Sequence, residues 1–379
     1  MVTKENLFFS LRNFKSIERG NIKIKPVTII LGPPDSGKSN LLEGLAMFSM
    51  LAYGGNVYSY LRTFDLRDLF RNLSTYFGLF PSLISLMIPE KNIELTITML
   101  EREDGRIEFT FSTRDKTLLK FVNADNISYL VTPQPDNEYL NLLRIRFYRF
   151  SYLYLPFSQP IGYSPALATF SSSDYVTKRL LMKYNKRLYD EIISNVLLPP
   201  QGENLFSLLR KEDYYELVKS IVKDYGYDDL VLSQDKLFLT KDPGKYPLEL
   251  ASYNLLSYIY MTLAIESKIP DEIPRIIPDI IAFEELDARM SPFLAWELGK
   301  DIAYSSSEDK RIILATYNPS LVSALLEKVR PENLAVYWLY RDPETFATEI
   351  TEVREDILDE VRGQGLSSIE ALKNIVKYK

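Results

Sequence analysis

The stretch Gly32-Pro33-Pro34-Asp35-Ser36-Gly37-Lys38-Ser39 decides the fold that this sequence predicts, because it fits the pattern G-x-x-x-x-G-K-[ST]. The apolar run 27–31 before it is typical of a strand, and the run 40–47 after it is helix-like. Glycines permit a tight turn whose N–H groups face one cavity, and the helix N-terminus adds partial positive charge. A chance match in an ordinary glycine turn is the alternative, and the flanking strand and helix argue against it. The stretch therefore predicts a phosphate-binding loop for a nucleoside triphosphate.

Two side chains of this loop have separate expected roles. Lys38 would reach the β- and γ-phosphates and assist catalysis, and Ser39 would ligate Mg²⁺ through its hydroxyl. The expected cofactors are therefore ATP and Mg²⁺. The nucleotide-binding residues predicted here are Gly32, Pro33, Pro34, Asp35, Ser36, Gly37, Lys38, Ser39 and Asn40.

Composition limits the remaining chemistry. The chain has 379 residues, of which 46% are hydrophobic, enough for one large domain or two moderate ones. It contains no cysteine and no histidine, which excludes disulfides, thiolate metal sites and histidine bases or ligands. Any metal should be a hard cation on oxygen ligands. The net charge of −6 is not that of a general polyanion binder.

The sequence further predicts a cytoplasmic protein with no membrane contact. The first six residues lack the basic-then-apolar pattern of a signal peptide. The longest strongly apolar stretch, 255–265, is too short to span a bilayer.

Adjacent acids at Glu284 and Glu285 end the apolar run 280–283, a pattern typical of a buried parallel strand with acids at its carboxyl end. Neighbouring side chains on a strand point to opposite sides, so the two acids can take different tasks. Glu284 would hold Mg²⁺ through water, and Glu285 would orient and deprotonate the attacking water. The alternative is a pair of solvated acids at a strand end.

The next strand, 311–316, is expected to lie parallel to the acidic strand, because an amphipathic helix from Ser291-Pro292 to about residue 303 joins them. Thr316 and Tyr317 follow the carboxyl end of this second strand, where a polar group can sense the γ-phosphate. Both are therefore predicted to bind the nucleotide.

The predicted organisation has three parts. Residues 1–150 form the N-terminal part of the core, with the phosphate loop and an antiparallel β subdomain whose strands alternate in polarity over 92–131. Residues 151–245 form an inserted helical lobe, with helices from about 175 to 196 and from 205 to 225. Residues 246–379 return to the core.

Basic residues recur in two places. Arg144, Arg146 and Arg149 form a basic stripe with aromatic neighbours on an expected strand. Such a stripe is typical of phosphate or nucleic-acid contact or of the solvated face of an edge strand, and we favour the edge strand. The second place is the helix from about residue 175. A basic helix face is more often simply solvated than bound to nucleic acid, yet this helix is the best candidate for a DNA-facing arm. Its basic residues are Lys178, Arg179, Lys183, Lys186 and Arg187.

The order of motifs resembles the ABC-type ATPases of the SMC/RecF/OLD group, also catalogued as AAA-domain ATPases. The resemblance rests on four stretches: Asn13-Phe14-Lys15-Ser16, the loop 32–40, Phe283–Pro292 and Thr316-Tyr317-Asn318-Pro319. The resemblance implies an α/β P-loop NTPase of ABC type, with a mixed sheet core, the antiparallel β subdomain and the helical lobe. It also implies a homodimer around two ATP–Mg²⁺, in which Ser252 stands at the signature serine that completes the partner's site. A plain helix N-cap is the alternative for Ser252.

Departures from the family pattern fall on the second half of the site. Asn254 stands for the signature glycine, Tyr317 for the sensor histidine, and Ser291 for the histidine of the LHP segment. Leu286 and Asp287 replace the proline and glutamate after the double Glu, and no Gln loop is identified. The sequence therefore favours nucleotide binding over fast turnover.

The function expected is an ATP-driven conformational switch in DNA repair, recombination, a mobile element or defence. About sixty residues follow Asn318, too few for the Toprim nuclease of some OLD proteins, so a nuclease or effector would be a separate chain. The alternative is a regulatory or scaffold subunit that binds nucleotide with little turnover and holds such an effector. A nucleotide kinase would leave the acidic pair and the signature-like segment unexplained.

Overall fold

The computed structural model describes residues 5–53, 60–62, 66–70, 81–103, 106–114, 116–124, 127–131, 140–149, 186–200, 202, 204–233, 236–285, 287 and 290–362. In chain order, their strands are β1 (Leu7–Phe14), β2 (Ile17–Ile24), β3 (Val27–Leu31), β4 (Ser82–Ile88), β5 (Ile93–Glu101), β6 (Ile107–Thr113), β7 (Lys116–Ala124), β8 (Ile127–Val131), β9 (Ile145–Arg149), β10 (Asp229–Ser233), β11 (Lys236–Lys241), β12 (Gly244–Pro247), β13 (Asp279–Glu284), β14 (Lys310–Ala315), β15 (Leu334–Arg341) and β16 (Thr348–Glu352). Their α-helices are α1 (Lys38–Tyr53), α2 (Lys186–Asn195), α3 (Leu205–Leu208), α4 (Glu212–Asp224), α5 (Tyr253–Glu266), α6 (Pro292–Ser305), α7 (Pro319–Lys328) and α8 (Glu355–Val361).

The central element is a six-stranded mixed sheet with the order β16-β15-β3-β14-β13-β9. Strands β15, β3, β14, β13 and β9 run parallel, and β16 closes one edge antiparallel to β15. The β13–α6–β14 unit gives a parallel pair, as the sequence predicts. The carboxyl ends of β3, β14, β13 and β9 therefore meet at one edge of the sheet, where open α/β sheets bind ligands.

A second sheet of seven strands, ordered β2-β1-β4-β5-β6-β7-β8, is antiparallel throughout. It contains the predicted antiparallel β subdomain, and it extends that subdomain with β1, β2 and β4. Helix α1 lies between the two sheets, packing on β9, β13 and β14 on one side and on β1 and β2 on the other. This is why α1 is apolar nearly all round and buried along almost its whole length.

Two hydrophobic cores follow from this layering. One lies between the seven-stranded sheet, α1 and one face of the central sheet, and the other lies between the opposite face and α4–α7. Strand β3 contributes to both, since Ile30 lies in the first core and Ile29 in the second. A strand that is covered on both faces has a nearly continuous apolar sequence, which is why the run 27–31 predicts a strand.

Sequence and structure differ in the middle of the chain. The helix expected over 205–225 is divided into α3 and α4. The hairpin that the sequence predicts at 230–232 and 236–239 is present as β10 and β11, and β12 extends it to a small antiparallel sheet beside α4. No helix in the described ranges is long and apolar enough to cross a membrane.

The basic stripe on β9 corrects an expectation. Strand β9 is an edge strand, but Arg144, Arg146 and Arg149 are 2%, 0% and 8% exposed, so the stripe is no solvated face. Arg144 donates to Asp279 and to two backbone carbonyls, and Arg146 donates to the carbonyl of Ala264 near the carboxyl end of α5. Burial of Arg144 and Arg149 is tolerated because their guanidinium groups meet carboxylate and carbonyl oxygens. Among the described residues, Arg146 meets carbonyl oxygens through one terminal nitrogen alone.

Candidate functional site

The candidate site lies where the phosphate-loop strand, the acidic strand and the sensor strand end together. In the strand register, Glu284 pairs with Ala315 of β14 and with Arg149 of β9, and Ala315 pairs with Ile30 of β3. The structure therefore brings the end of β3, the double acid and Thr316 to one edge of the sheet, although they lie far apart in sequence.

The phosphate loop connects β3 to α1 with three residues in the left-handed region. Gly32 has φ +147°, Gly37 has φ +96° and Asp35 has φ +59°. A Cβ on Gly32 would collide with the carbonyl oxygen of Leu339, and one on Gly37 would collide with the Thr348 side chain. Both glycines are thus required by close backbone approach and by their φ angles.

Side chains from outside the loop hold it in place. Asn40 donates from its side-chain amide to Ser16 Oγ over 2.7 Å, and the hydroxyls of Ser16 and Thr348 lie 2.6 Å apart. The Thr348 N–H also donates to the Ser16 carbonyl. The loop is therefore supported by the β1–β2 turn and by the first residue of β16.

Lys38 is turned into the mouth of its own loop. Its ammonium donates to the carbonyls of Gly32 (3.0 Å) and Pro33 (2.8 Å) and to the Tyr317 hydroxyl, and it lies 3.8 Å from the centre of the Tyr317 ring. Burial lowers the pKa of Lys38 to about 8, although Glu285 acts in the opposite direction. Tyr317, the predicted sensor residue, covers the lysine that would bind the phosphates.

Glu285 faces the open side of the site. It is exposed and has φ +53°, an uncommon backbone conformation for a glutamate that re-aims the chain directly after β13. It borders a cleft of about 550 Å³, wide enough for a small molecule. The cleft is lined by Glu285, Asp287, Met290, Pro292, Tyr317, Asn318, Pro319 and Ser320.

A buried polar contact joins the acidic loop to the sensor loop. The Thr316 hydroxyl donates to the Asp287 carboxylate, and the Asn318 N–H donates to Thr316 Oγ1 over 2.9 Å. The Asn318 side chain then caps α7 by accepting from the Ser320 N–H. Burial raises the pKa of Asp287 to about 6. Asp287 is thus a structural connector, and Thr316 directs its hydroxyl towards it.

Glu284 is buried and bound to cations of the chain itself. One carboxylate oxygen accepts from Arg149 Nε, and the other, Oε1, lies 3.6 Å from a terminal nitrogen of Arg62. Within the described residues, this Oε1 atom is buried and has no hydrogen-bond partner.

Sequence reasoning missed Glu43, a fully buried acid that shares Arg149 with Glu284. Glu43 of α1 accepts from Arg149 (2.7 Å), from the backbone N–H of Arg62 (2.8 Å) and from Lys15. Burial favours its neutral form, but Arg149 and Lys15 lower the pKa of Glu43 overall. Glu43 is the one charged residue between Lys38 and Tyr53 in an otherwise apolar helix, and that isolation was a signal available in the sequence.

These residues fit Mg²⁺ by their chemistry. Helix α1, which carries Ser39 at its start, packs against β13, which carries Glu284. A hydroxyl and a carboxylate oxygen without a hydrogen-bond partner are oxygen ligands of the type that Mg²⁺ takes together with phosphates and water. No group of three or more acidic side chains forms a metal cluster in the described part of the chain, so the nucleotide and water would complete the coordination.

Comparison with known proteins places this geometry in a family. Residues 27–323 match the family model described as "AAA domain, putative AbiEii toxin, Type IV TA system". The chain belongs to this AAA-domain family. No curated protein matches the sequence.

The AAA-domain protein is also similar in fold to solved SMC heads. An Smc head bound to the C-winged helix domain of ScpA is 15% identical, with a TM-score of 0.53 over 92% of this chain and 97% of that one. An Smc head with an extended coiled coil, bound to the C-terminal domain of ScpA derived from Pyrococcus furiosus, is 13% identical, with a TM-score of 0.52 over 94% and 98%. The predicted fold class and the resemblance to ABC-type ATPases of the SMC group are confirmed.

Ser252 of this AAA-domain protein caps α5. Its hydroxyl accepts from the Leu255 N–H over 3.3 Å, and the residue is exposed. Asn254, at the position of the signature glycine, accepts from the Ser291 N–H over 3.0 Å. The asparagine therefore ties the start of α5 to the start of α6, and this contact accounts for a side chain at that position.

The candidate DNA-contacting residues divide into two groups. Lys178, Arg179 and Lys183 lie outside the described residues. Lys186 and Arg187 begin α2 and are exposed. Arg187 pairs with Glu191 (3.0 Å) and lies 3.6 Å from Glu272, so part of its charge is neutralised within the chain.

Proposed function

We propose that this AAA-domain protein binds and hydrolyses ATP with Mg²⁺ and dimerises around the nucleotide as a conformational switch. One observation carries the proposal: Lys38 of the phosphate loop, the acids Glu284 and Glu285, and Tyr317 converge at one sheet edge from distant parts of the chain. Membership of the AAA-domain family and the fold of SMC heads support the same activity.

Each residue has a defined task in this proposal. Lys38 releases Tyr317 and the loop carbonyls and donates to the phosphate oxygens, while the loop N–H groups hold the triphosphate. Ser39 and Glu284 hold Mg²⁺, which neutralises charge on the β- and γ-phosphates when bound. Glu285 accepts a proton from the attacking water, and its exposed position at the cleft gives water access.

Dimerisation is proposed from the start of α5. Ser252 is exposed at a helix N-terminus, so that N-terminus is free to approach the phosphate of a second copy. The two similar SMC heads are each described as bound to a ScpA domain, which supports a partner protein for this chain. The proposed setting is DNA repair, recombination, a mobile element or defence, within the cytoplasm.

The test is the oligomeric state of Glu285→Gln with ATP and Mg²⁺. If Glu285 is the base, the variant binds ATP but releases phosphate at least about 100-fold more slowly, and it accumulates as a dimer in gel filtration. Glu344→Gln, an exposed acid in the β15–β16 turn, is the matched control and should behave as wild type. A Glu285→Gln protein that stays monomeric at saturating ATP would contradict the dimer.

A regulatory subunit with little turnover is the second candidate. It is favoured by the cover that Tyr317 places over Lys38 and by Asn254 in place of the signature glycine. Phosphate release measured with and without duplex DNA separates the two: release that DNA accelerates supports the switch. ATP binding with no release, together with ATP-dependent retention of an effector protein, supports the regulatory subunit.

A further inference from the structure

Arg149 bonds to three different segments from a buried position. Its Nε donates to Glu284, one terminal nitrogen donates to Glu43 over 2.7 Å, and the other donates to the Tyr60 carbonyl over 2.9 Å. The side chain is 10% exposed, and the two carboxylates are 3% and 0% exposed. Glu284 and Glu43 raise the pKa of Arg149 overall, against the effect of burial.

The two acids that Arg149 joins belong to the two elements that carry the proposed magnesium ligands. Glu284 is itself one ligand, at the end of β13. Glu43 lies four residues after Ser39 on α1, and residues four apart lie on the same face of a helix. A contact to Glu43 therefore fixes the rotation and height of the helix turn that presents Ser39.

We infer that Arg149 is a positioning residue that sets the separation of Ser39 and Glu284 for Mg²⁺. The inference rests on the proposed function. Arg149 binds one oxygen of Glu284, so the carboxylate is held in place. The other oxygen, Oε1, has no hydrogen-bond partner among the described residues and lies 3.6 Å from Arg62, an exposed cation that a metal ion can displace. Partners that orient metal ligands typically change metal affinity by about 10- to 100-fold when they are replaced.

A guanidinium suits this role because its donors form a planar fork of fixed geometry. It reaches two carboxylates and a carbonyl at the same time, whereas a lysine ammonium is a point charge on a flexible stem. Arg149→Lys therefore keeps the charge and removes the fixed geometry. Arg149→Met removes the charge as well.

The experiment measures the Mg²⁺ concentration needed for half-maximal binding of a fluorescent ATP analogue, and repeats the binding in EDTA. In Arg149→Lys this concentration should rise about tenfold, while binding in EDTA stays within about twofold of wild type. Arg149→Met should raise this Mg²⁺ concentration at least as much as Arg149→Lys does.

The matched control is Arg144→Lys, in the turn that leads directly into β9. Arg144 is equally buried and also donates to a carboxylate and two carbonyls, but it touches neither Glu43 nor Glu284. Arg144→Lys should leave the Mg²⁺ requirement unchanged even if the protein becomes less stable. Thermal unfolding of each variant reports any loss of fold separately.

Different failures have different meanings. If wild type binds no nucleotide, the proposed function is wrong. If wild type binds with Mg²⁺ but Arg149→Lys has the wild-type Mg²⁺ requirement, the positioning role is wrong. If Arg149→Met needs less Mg²⁺ than wild type, the charge of Arg149 repels the metal, and the positioning role is again overturned. An equal shift in Arg144→Lys would assign the effect to general loosening of β9.

Discussion

The phosphate-loop half of the site and the acidic half are built differently. The loop half is one continuous stretch, 32–40, and its geometry depends on backbone angles and on three supporting contacts. The acidic half is assembled from β13, β14 and the turns after them, and most of its polar groups are bonded inside the chain. Glu284 is held by Arg149, Asp287 by Thr316, and Tyr317 by Lys38.

This difference suggests a division between binding and turnover. The loop half needs only the release of one lysine to receive a phosphate. In the proposed function, the acidic half has to keep its buried contacts and still offer oxygens to Mg²⁺ and water. Substitutions in the loop half should therefore change ATP affinity. Substitutions in the acidic half should change phosphate release, stability or the ease of nucleotide entry.

The largest expected effect is on the loop side. Lys38→Ala removes the ammonium that is proposed to bind the phosphates and should weaken ATP binding about 100-fold, a free-energy change of about 2.7 kcal/mol. Lys186→Ala, an exposed lysine on α2, is the control and should bind as wild type. Titration with a fluorescent ATP analogue measures both. Unchanged affinity in Lys38→Ala would remove the phosphate loop from the site.

On the acidic side, Asp287→Asn should stabilise the fold at pH 7. Burial raises the pKa of Asp287 to about 6 from 3.8, so its contribution to stability is present below about pH 4 and is lost as the pH rises through 6. Asparagine carries no buried charge and still accepts from Thr316, so the free energy of unfolding should rise by about 2 kcal/mol at pH 7.

Urea unfolding at pH 7 and at pH 4 measures this gain, which should vanish at pH 4. The exposed Asp356→Asn is the control. A gain of equal size at both pH values would mean that titration of Asp287 is not its cause.

The pH dependence of binding should come from the loop half. Lys38 has a pKa of about 8 without nucleotide, and a bound phosphate favours the charged lysine. ATP affinity should therefore be nearly constant below pH 7 and fall about tenfold between pH 7 and pH 9. Lys38→Arg should bind with little pH dependence in this range, since arginine stays charged. An identical pH profile in both proteins would assign the titration elsewhere.

The smallest expected effect tests the contact between the halves. Tyr317→Phe keeps the ring over Lys38 but removes the hydroxyl that accepts from it, so ATP should displace the ring more easily. Affinity should rise about threefold, the size of one hydrogen bond. Tyr340→Phe, an exposed tyrosine bonded to Glu349, is the control. Weaker binding in Tyr317→Phe would mean that the hydroxyl contacts the nucleotide directly.

The features that the sequence predicted are those set by local patterns. The strand 27–31, the glycine turn and the helix over the run 40–47 follow one another without interruption, and each has its own signal. The acids at 284–285 were placed at a strand end because an unbroken apolar run precedes them. Parallel pairing through α6 followed from the length and amphipathicity of that helix.

What the sequence did not predict depends on contacts between distant segments. The arginines on β9 and directly before it match the pattern of a solvated edge. Only the carbonyls of α5, Asp279 and the acids of the site explain their burial. The bond from Arg149 to Glu43 joins residues 106 positions apart. The roles proposed for Ser39, Glu284 and Glu285 stay predictions.

The supports of the phosphate loop have a consequence for how the molecule can be divided. The region that matches the family model, 27–323, contains every motif of the site but ends before Leu339 and Thr348 and begins after Ser16. A fragment cut at those limits would keep the signature of a nucleotide-binding protein and lose the backbone and hydroxyls against which its glycines pack. The smallest fragment that retains these loop supports therefore extends from the β1–β2 hairpin to β16, the antiparallel edge strand of the central sheet.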